Sequence, residues 1–131
     1  MSDSIFTQII NGQIPVHKLY EDDKTFVFLD IHPSQPGHTL VVPKHQVEFV
    51  WDLPVEDYQA LMTTAKKVAL RLREVLGTTY VGAKVVGVDV PHAHVHLIPF
   101  YTKEQYRAHG DTDAQPDDAA LAALAQRLAF Q

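Results

Sequence analysis

The chain is 131 residues long, with 46% hydrophobic and 21% charged residues, a balance that fits one ordinary globular domain and excludes wholesale disorder. A formal charge of −5 speaks against a binder of nucleic-acid backbone, which needs a basic face. With no cysteine, disulfides, thiolate zinc sites and cysteine nucleophiles are all excluded.

The start, MSDSIFTQII, lacks a basic stretch followed by a long apolar one, and no apolar run approaches the ~20 residues that cross a bilayer. The expectation is therefore one cytoplasmic domain over 1–131, with no membrane and no nucleic-acid partner.

Taken in order, Ile5, Phe6, Ile9 and Ile10 recur at helical spacing and stop at Asn11-Gly12, so residues 4–11 predict a short helix. His17–Tyr20 and Thr25–Leu29 are β-rich runs joined by the polar Glu21-Asp22-Asp23-Lys24. A strand over His38–Pro43 follows the Pro36-Gly37 turn. Such short connections imply antiparallel neighbours, because parallel pairing needs a longer crossover.

Residues 53–76 predict the one long helix, with Asp52 as cap and Pro54 in the first turn. Its apolar stripe runs through Tyr58, Leu61, Met62, Ala65, Val68, Ala69, Leu72 and Leu76, and Gly77 is the stop. Lys66, Lys67, Arg71 and Arg73 read as a solvated face. Strands follow at Thr79–Val86 and Val88–Pro99, with Gly87 near their turn; 101–116 is irregular, and an Ala/Leu-rich helix closes the chain over Asp117–Phe130. Five antiparallel strands, one long helix and short N- and C-terminal helices make an α+β fold.

Three of the eight histidines fall in Val90-Pro91-His92-Ala93-His94-Val95-His96-Leu97-Ile98-Pro99. Strand alternation puts His92, His94 and His96 on one face, about 6.6 Å apart in turn, and Ala93, Val95 and Leu97 on the other. Unpaired burial of three imidazoles would cost too much for a core motif. Three readings stay open: a solvated polar strand face, a zinc site using two histidines at i, i+2, and covalent catalysis. In the last, a neutral imidazole attacks phosphorus while its other nitrogen is held by a fixed acceptor, and its neighbours bind phosphoryl oxygens.

The segment His92-Ala93-His94-Val95-His96-Leu97-Ile98 resembles the His-φ-His-φ-His-φ-φ signature of the histidine triad (HIT) family of nucleotide hydrolases and transferases. Ile10-Asn11-Gly12, Tyr20-Glu21-Asp22-Asp23, Phe28-Leu29-Asp30-Ile31 and Pro36-Gly37-His38-Thr39-Leu40-Val41-Val42-Pro43 agree with it in order and spacing. The resemblance implies a homodimer that binds a purine nucleotide and cleaves nucleoside phosphoramidates, dinucleoside polyphosphates or related conjugates at the α-phosphate, with neither cofactor nor metal. A catalytically weak nucleotide-binding module is the alternative.

By the same resemblance, His94 is the nucleophile, and His96, with His38 as partner, contacts the phosphate and shares in proton transfer. His92 orients their surroundings, and Asp30 accepts from the ribose hydroxyls. Ile5, Phe6, Ile9, Phe28 and Ile31 line the base pocket. By the residues alone, Asp30 serves a turn equally well and the apolar set packs a core. Gly87, Val88 and Asp89 stand where many members carry a glycine, a glutamine and a hydroxyl residue near the phosphate. Asp89 therefore puts a carboxylate in place of a donor, which bears on the leaving-group side.

Overall fold

The computed structural model describes residues 2–131. Its elements are α1 (Ile5–Ile10), β1 (Lys18–Glu21), β2 (Thr25–Leu29), β3 (Thr39–Pro43), a 3-10 turn (Val50–Asp52), α2 (Val55–Leu76), β4 (Tyr80–Lys84), β5 (Val95–Phe100), α3 (Lys103–Arg107) and α4 (Asp118–Leu128). The strands form one sheet in the order β1-β2-β3-β5-β4, and every neighbouring pair is antiparallel. The α+β architecture expected from the spacing is the one observed.

Alternation along the strands sorts their side chains onto two faces. Val27, Leu29, Val41, Val95 and Leu97 pack with Leu61, Val68 and Leu72 of α2 and Leu128 of α4 in the larger core. Phe26, Phe28, Leu40 and Val42 point the other way and meet Phe6 and Ile9 of α1. Burying each such side chain is worth roughly 1.5–3 kcal/mol, so α2 holds one face shut while α1 covers only part of the other. Phe6 of α1 meets His92 and His94, so the histidines lie beside that smaller core.

Three expectations about α2 need correction. Its N-cap is Pro54, not Asp52, which ends the 3-10 turn. Its buried stripe is Leu61, Thr64, Ala65, Val68 and Leu72, with the Thr64 hydroxyl 2.9 Å from Thr25 Oγ1. Tyr58 and Met62 lie outside that stripe and are exposed, together with Trp51 and Val55. Positions 55, 58 and 62 form a second apolar line on a helix whose other face is already filled. Gly77 does end the helix, in the left-handed region at φ 68°.

The segment expected to be irregular contains α3, closed by a capping box between Thr102 and Gln105. α4 begins one residue after Asp117, its cap, and its C-terminal carbonyls at 127, 128 and 129 accept from the Arg71 guanidinium. Arg71 is thus a fastener between α2 and α4, not merely part of a solvated face. Among the described residues no helix is long and apolar enough to cross a membrane.

Candidate active site

β5 begins at Val95, so a strand from Val88 is not what forms: residues 85–94 are loop, and His92 and His94 precede the strand. Pro91 has no N–H to give a ladder, the His92 N–H donates to Val90 O at 2.8 Å, and the Ala93 N–H donates to Val47 O at 2.7 Å. The chain therefore turns just ahead of β5. The three rings do not line one strand face.

His92 shows the consequence. It is 0% exposed, although three unpaired imidazoles in line were not expected to be a core motif. Burial is tolerable because both ring nitrogens have partners: Nε2 lies 2.7 Å from Pro43 O, and Nδ1 lies 2.7 Å from Ser4 Oγ. A carbonyl only accepts, so Nε2 carries the proton, and Nδ1 accepts from the Ser4 hydroxyl. Burial also holds the ring below the usual histidine pKa, keeping it neutral.

Ser4 is fixed in turn as the N-cap of α1, accepting from the Thr7 N–H, while Gln46 Oε1 accepts from the Ser4 N–H and the Thr7 hydroxyl. Gln46 gave no sequence signal. Ser4 gave one: it stands at the cap position of a helical pattern.

The same reasoning fixes the other rings. His94 Nδ1 is 2.8 Å from the His92 carbonyl and must donate to it, so in the neutral ring the lone pair is on Nε2. Phe6 meets the His94 ring edge-to-face at 5.0 Å and limits its rotation. His38 Nδ1 accepts from the Ser34 N–H at 3.0 Å, which leaves the proton on Nε2; that nitrogen is 3.0 Å from His96 Nδ1. His96 Nδ1 thus accepts, and its Nε2–H is a free donor. Burial pushes both His38 and His96 down to about 4, so this chain of neutral rings holds at neutral pH. The His94 and His96 ring centroids are 4.9 Å apart.

The two oxygens of Asp30 have different surroundings. Oδ1 accepts from the His32 N–H at 2.8 Å and shapes the turn, while Oδ2 lies 3.6 Å from His38 Nε2, on the triad side. Burial raises its pKa above the usual carboxylate value. The contact with neutral His38 is polar, not an ion pair.

Asp30, His38 and His96 offer ligand atoms within 4.8 Å of one another, close enough to enclose a cation. The tautomers oppose one: His38 could bind metal through Nε2 only by moving its proton to Nδ1, where the Ser34 N–H already points.

The residues expected to line the base pocket divide. Phe6, Ile9 and Phe28 are buried in the smaller core, whereas Ile5 (53%) and Ile31 (43%) are exposed. Gly87, at φ 78°, lines a small hollow beside His94. Val88 is 80% exposed and Asp89 is exposed, both on the loop ahead of the triad. His45 lies at the surface against Asp57, and His17 pairs with Asp118, so neither joins the cluster.

The HIT domain model matches residues 11–103, well over half of the chain and inclusive of all four clustered histidines. The chain belongs to the HIT domain family. Among its HIT relatives is the protein hit of Bacillus subtilis, 35% identical over 95% of this chain and 94% of that one. Another is adenosine 5'-monophosphoramidase HNT1 of Saccharomyces cerevisiae, 35% identical over 72% of this chain and 61% of that one.

The structure of a Hit-like protein involved in cell-cycle regulation from Bartonella henselae superposes with a TM-score of 0.83 at 26% identity, covering 96% of this chain and 94% of that one. A Zn-bound histidine triad family protein from Mycobacterium smegmatis gives 0.74 at 27% identity, over 95% and 94%. The fold and the family expected from the motif are those found.

Proposed function

We propose that this HIT protein hydrolyses purine nucleotidyl conjugates at the α-phosphorus, with nucleoside phosphoramidates as the first substrate class, through a nucleotidyl-His94 intermediate. The single observation that carries the reading is the 2.8 Å bond from His94 Nδ1–H to the His92 carbonyl, which leaves Nε2 as a fixed lone pair. The likeness to the HNT1 monophosphoramidase favours the same chemistry.

In the first step His94 Nε2 bonds to phosphorus, and the bond to the leaving nitrogen or oxygen breaks, its electron pair going with the leaving group. His96 Nε2–H donates to a non-bridging oxygen and stabilises the charge that builds there. A neutral ring that titrates near 4 is a donor and not a proton source, so the leaving group takes its proton from water. Water then attacks phosphorus, the P–N bond to His94 breaks, and the nucleoside monophosphate departs with His94 restored. Asp30 Oδ2 accepts from the ribose hydroxyls, and the base meets apolar side chains that include the exposed Ile31 next to Asp30.

The functional unit on this reading is a cytoplasmic homodimer of single-domain chains. Its support is the unpartnered apolar line of Val55, Tyr58 and Met62, with Trp51 beside it. Met62→Glu shifting the chain to monomer in light scattering is the expected result.

The central test is mass spectrometry of acid-avoiding quenches with adenosine 5'-phosphoramidate. A nucleotidyl adduct on His94, with turnover lost in His94→Ala, is expected; undiminished turnover in that variant would overturn the mechanism. AMP binding without product release in calorimetry would mark a binding module instead.

A further inference from the structure

Residues 110–117 pass over the 30–38 loop as an arch pinned at both feet. At the first foot Gly110 touches the loop backbone: a Cβ there would run into the His32 carbonyl, and His32 Nδ1–H donates to Asp111 O at 3.2 Å. At the second foot Asp117 caps α4, its Oδ1 accepting from the Ala120 N–H at 3.1 Å. Between arch, loop and α4 lies a cavity of about 330 Å³, within the range of roughly 300–1,000 Å³ common to small-molecule pockets.

The walls are apolar, with Leu29 and Pro36 on the loop side and Leu121 and Leu124 on α4. Close packing leaves no ordinary void of this size between such side chains. The polar part of the lining has one sign: Asp30, Asp111 and Asp117 stand at the cavity, and among the described residues no lysine or arginine lines it. Asp111 and Asp117 each spend Oδ1 on a backbone N–H, of Asp113 and Ala120, which leaves both Oδ2 atoms for a ligand. Asp30 and His38 belong to the lining as well. The cavity therefore begins at the carboxylate that takes the ribose hydroxyls in the reading above.

We infer that this cavity is a subsite for an aminoacyl group carried on the ribose 2'- or 3'-oxygen of the bound nucleotide. The inference rests on Asp30 as the ribose acceptor and adds to it a substrate class, nucleotides acylated on the sugar. Acylation of one oxygen leaves the other hydroxyl to donate to Asp30 Oδ2. An apolar amino-acid side chain fills the space between Leu29 and Leu124, and its ammonium faces the carboxylates of Asp111 and Asp117. A ribose phosphate would meet three carboxylates and no cation, so the site selects against it. A space that merely relieves packing under the arch requires neither a ribose acceptor at its edge nor charges of a single sign.

The experiment measures, by calorimetry, the binding of AMP, of adenosine 3',5'-bisphosphate and of 3'-deoxy-3'-leucylamino-AMP, the hydrolysis-stable amide of the ester. The proteins are the wild type, Ala120→Phe, which fills the cavity from α4, and Ala123→Phe, an equally exposed position of the same helix outside the lining. Expected in the wild type is binding of the leucyl compound about tenfold or more tighter than AMP, from burial of one apolar side chain, and of the bisphosphate more weakly than AMP. Ala120→Phe should abolish the leucyl gain with AMP within about twofold of wild type, and Ala123→Phe should keep the gain. A leucyl compound no tighter than AMP, a bisphosphate that binds as tightly as the leucyl compound, or a gain that survives Ala120→Phe would overturn the subsite. Any of these, with AMP still bound and the His94 adduct still formed, leaves the α-phosphorus reading standing; a wild type that binds no AMP and forms no adduct removes both.

Discussion

His38 Nε2 and His96 Nδ1 are 3.0 Å apart, and the proton between them belongs to His38. The reason lies one atom further on, where the Ser34 N–H donates to His38 Nδ1 and denies that nitrogen a proton. One backbone amide in the 30–38 loop thereby decides that His96 shows a donor, and not a lone pair, to the phosphoryl oxygens. On the other flank the His92 carbonyl decides the opposite for His94.

Removing that relay should therefore act through His96. In His38→Ala the His96 ring loses its Nδ1 partner and populates both tautomers, so kcat/KM should fall by about ten- to hundredfold with the His94 adduct still detectable. Nitrogen NMR of the His96 ring checks the cause: a single Nε2–H tautomer in the wild type and a mixture in the variant.

Ser4→Ala removes the cap of α1 and the hydroxyl that donates to the buried His92 Nδ1 at 2.7 Å. A lost cap costs about 1 kcal/mol and an unsatisfied buried nitrogen about 1–3 kcal/mol. Urea unfolding should show a loss of about 2–3 kcal/mol, with Ser4→Thr recovering most of it.

Acid should destabilise the fold before it reaches the carboxylates. His38 and His96 titrate near 4 in the folded chain and near 6.5 in the unfolded one. Between those values the unfolded state binds more protons, so stability is fully present above about 6.5 and is lost as pH falls toward 4. Each unit of difference is worth about 1.4 kcal/mol per ring, and chemical denaturation at pH 7 and pH 5 should differ by a few kcal/mol. The double variant His38→Phe/His96→Leu should show a flatter profile over the same range.

Chelation should leave turnover intact. A cation between Asp30, His38 and His96 would have to evict either the Ser34 hydrogen bond or the His38 proton, so activity after exhaustive dialysis against a chelator should match the untreated protein. Loss of activity that zinc restores would contradict the tautomer assignment.

Gly37→Ala strains the loop that sets His38. Gly37 has φ 91°, and a Cβ would fall 2.7 Å from Leu76 Cδ1 and 3.1 Å from Pro99 Cγ. The expected cost is about 1–3 kcal/mol in thermal or chemical unfolding, with kcat/KM falling as His38 shifts.

The five strands, their antiparallel pairing and the long helix α2 are properties of the sequence by itself, because β-rich runs, short connections and helical periodicity permit little else. His38, His94, His96 and Asp30, which the structure brings close to one another, were named through the resemblance to the HIT signature, since motif spacing acts along the sequence.

Where tertiary contacts compete with a local pattern, the sequence was silent or misled. His92 and His94 fit a strand by alternation, yet Pro91 and the bond from Ala93 to Val47 turn the chain first, and His92 goes into the core because Ser4 and Pro43 wait there for its nitrogens. Tyr58 and Met62 fit the α2 stripe by apolarity, yet only the placement of the sheet decides which side of that stripe is covered. The proton positions on the rings belong wholly to the fold, because each is fixed by a backbone or side-chain group distant in sequence or held by a loop, and no spacing rule records which nitrogen such a group will reach.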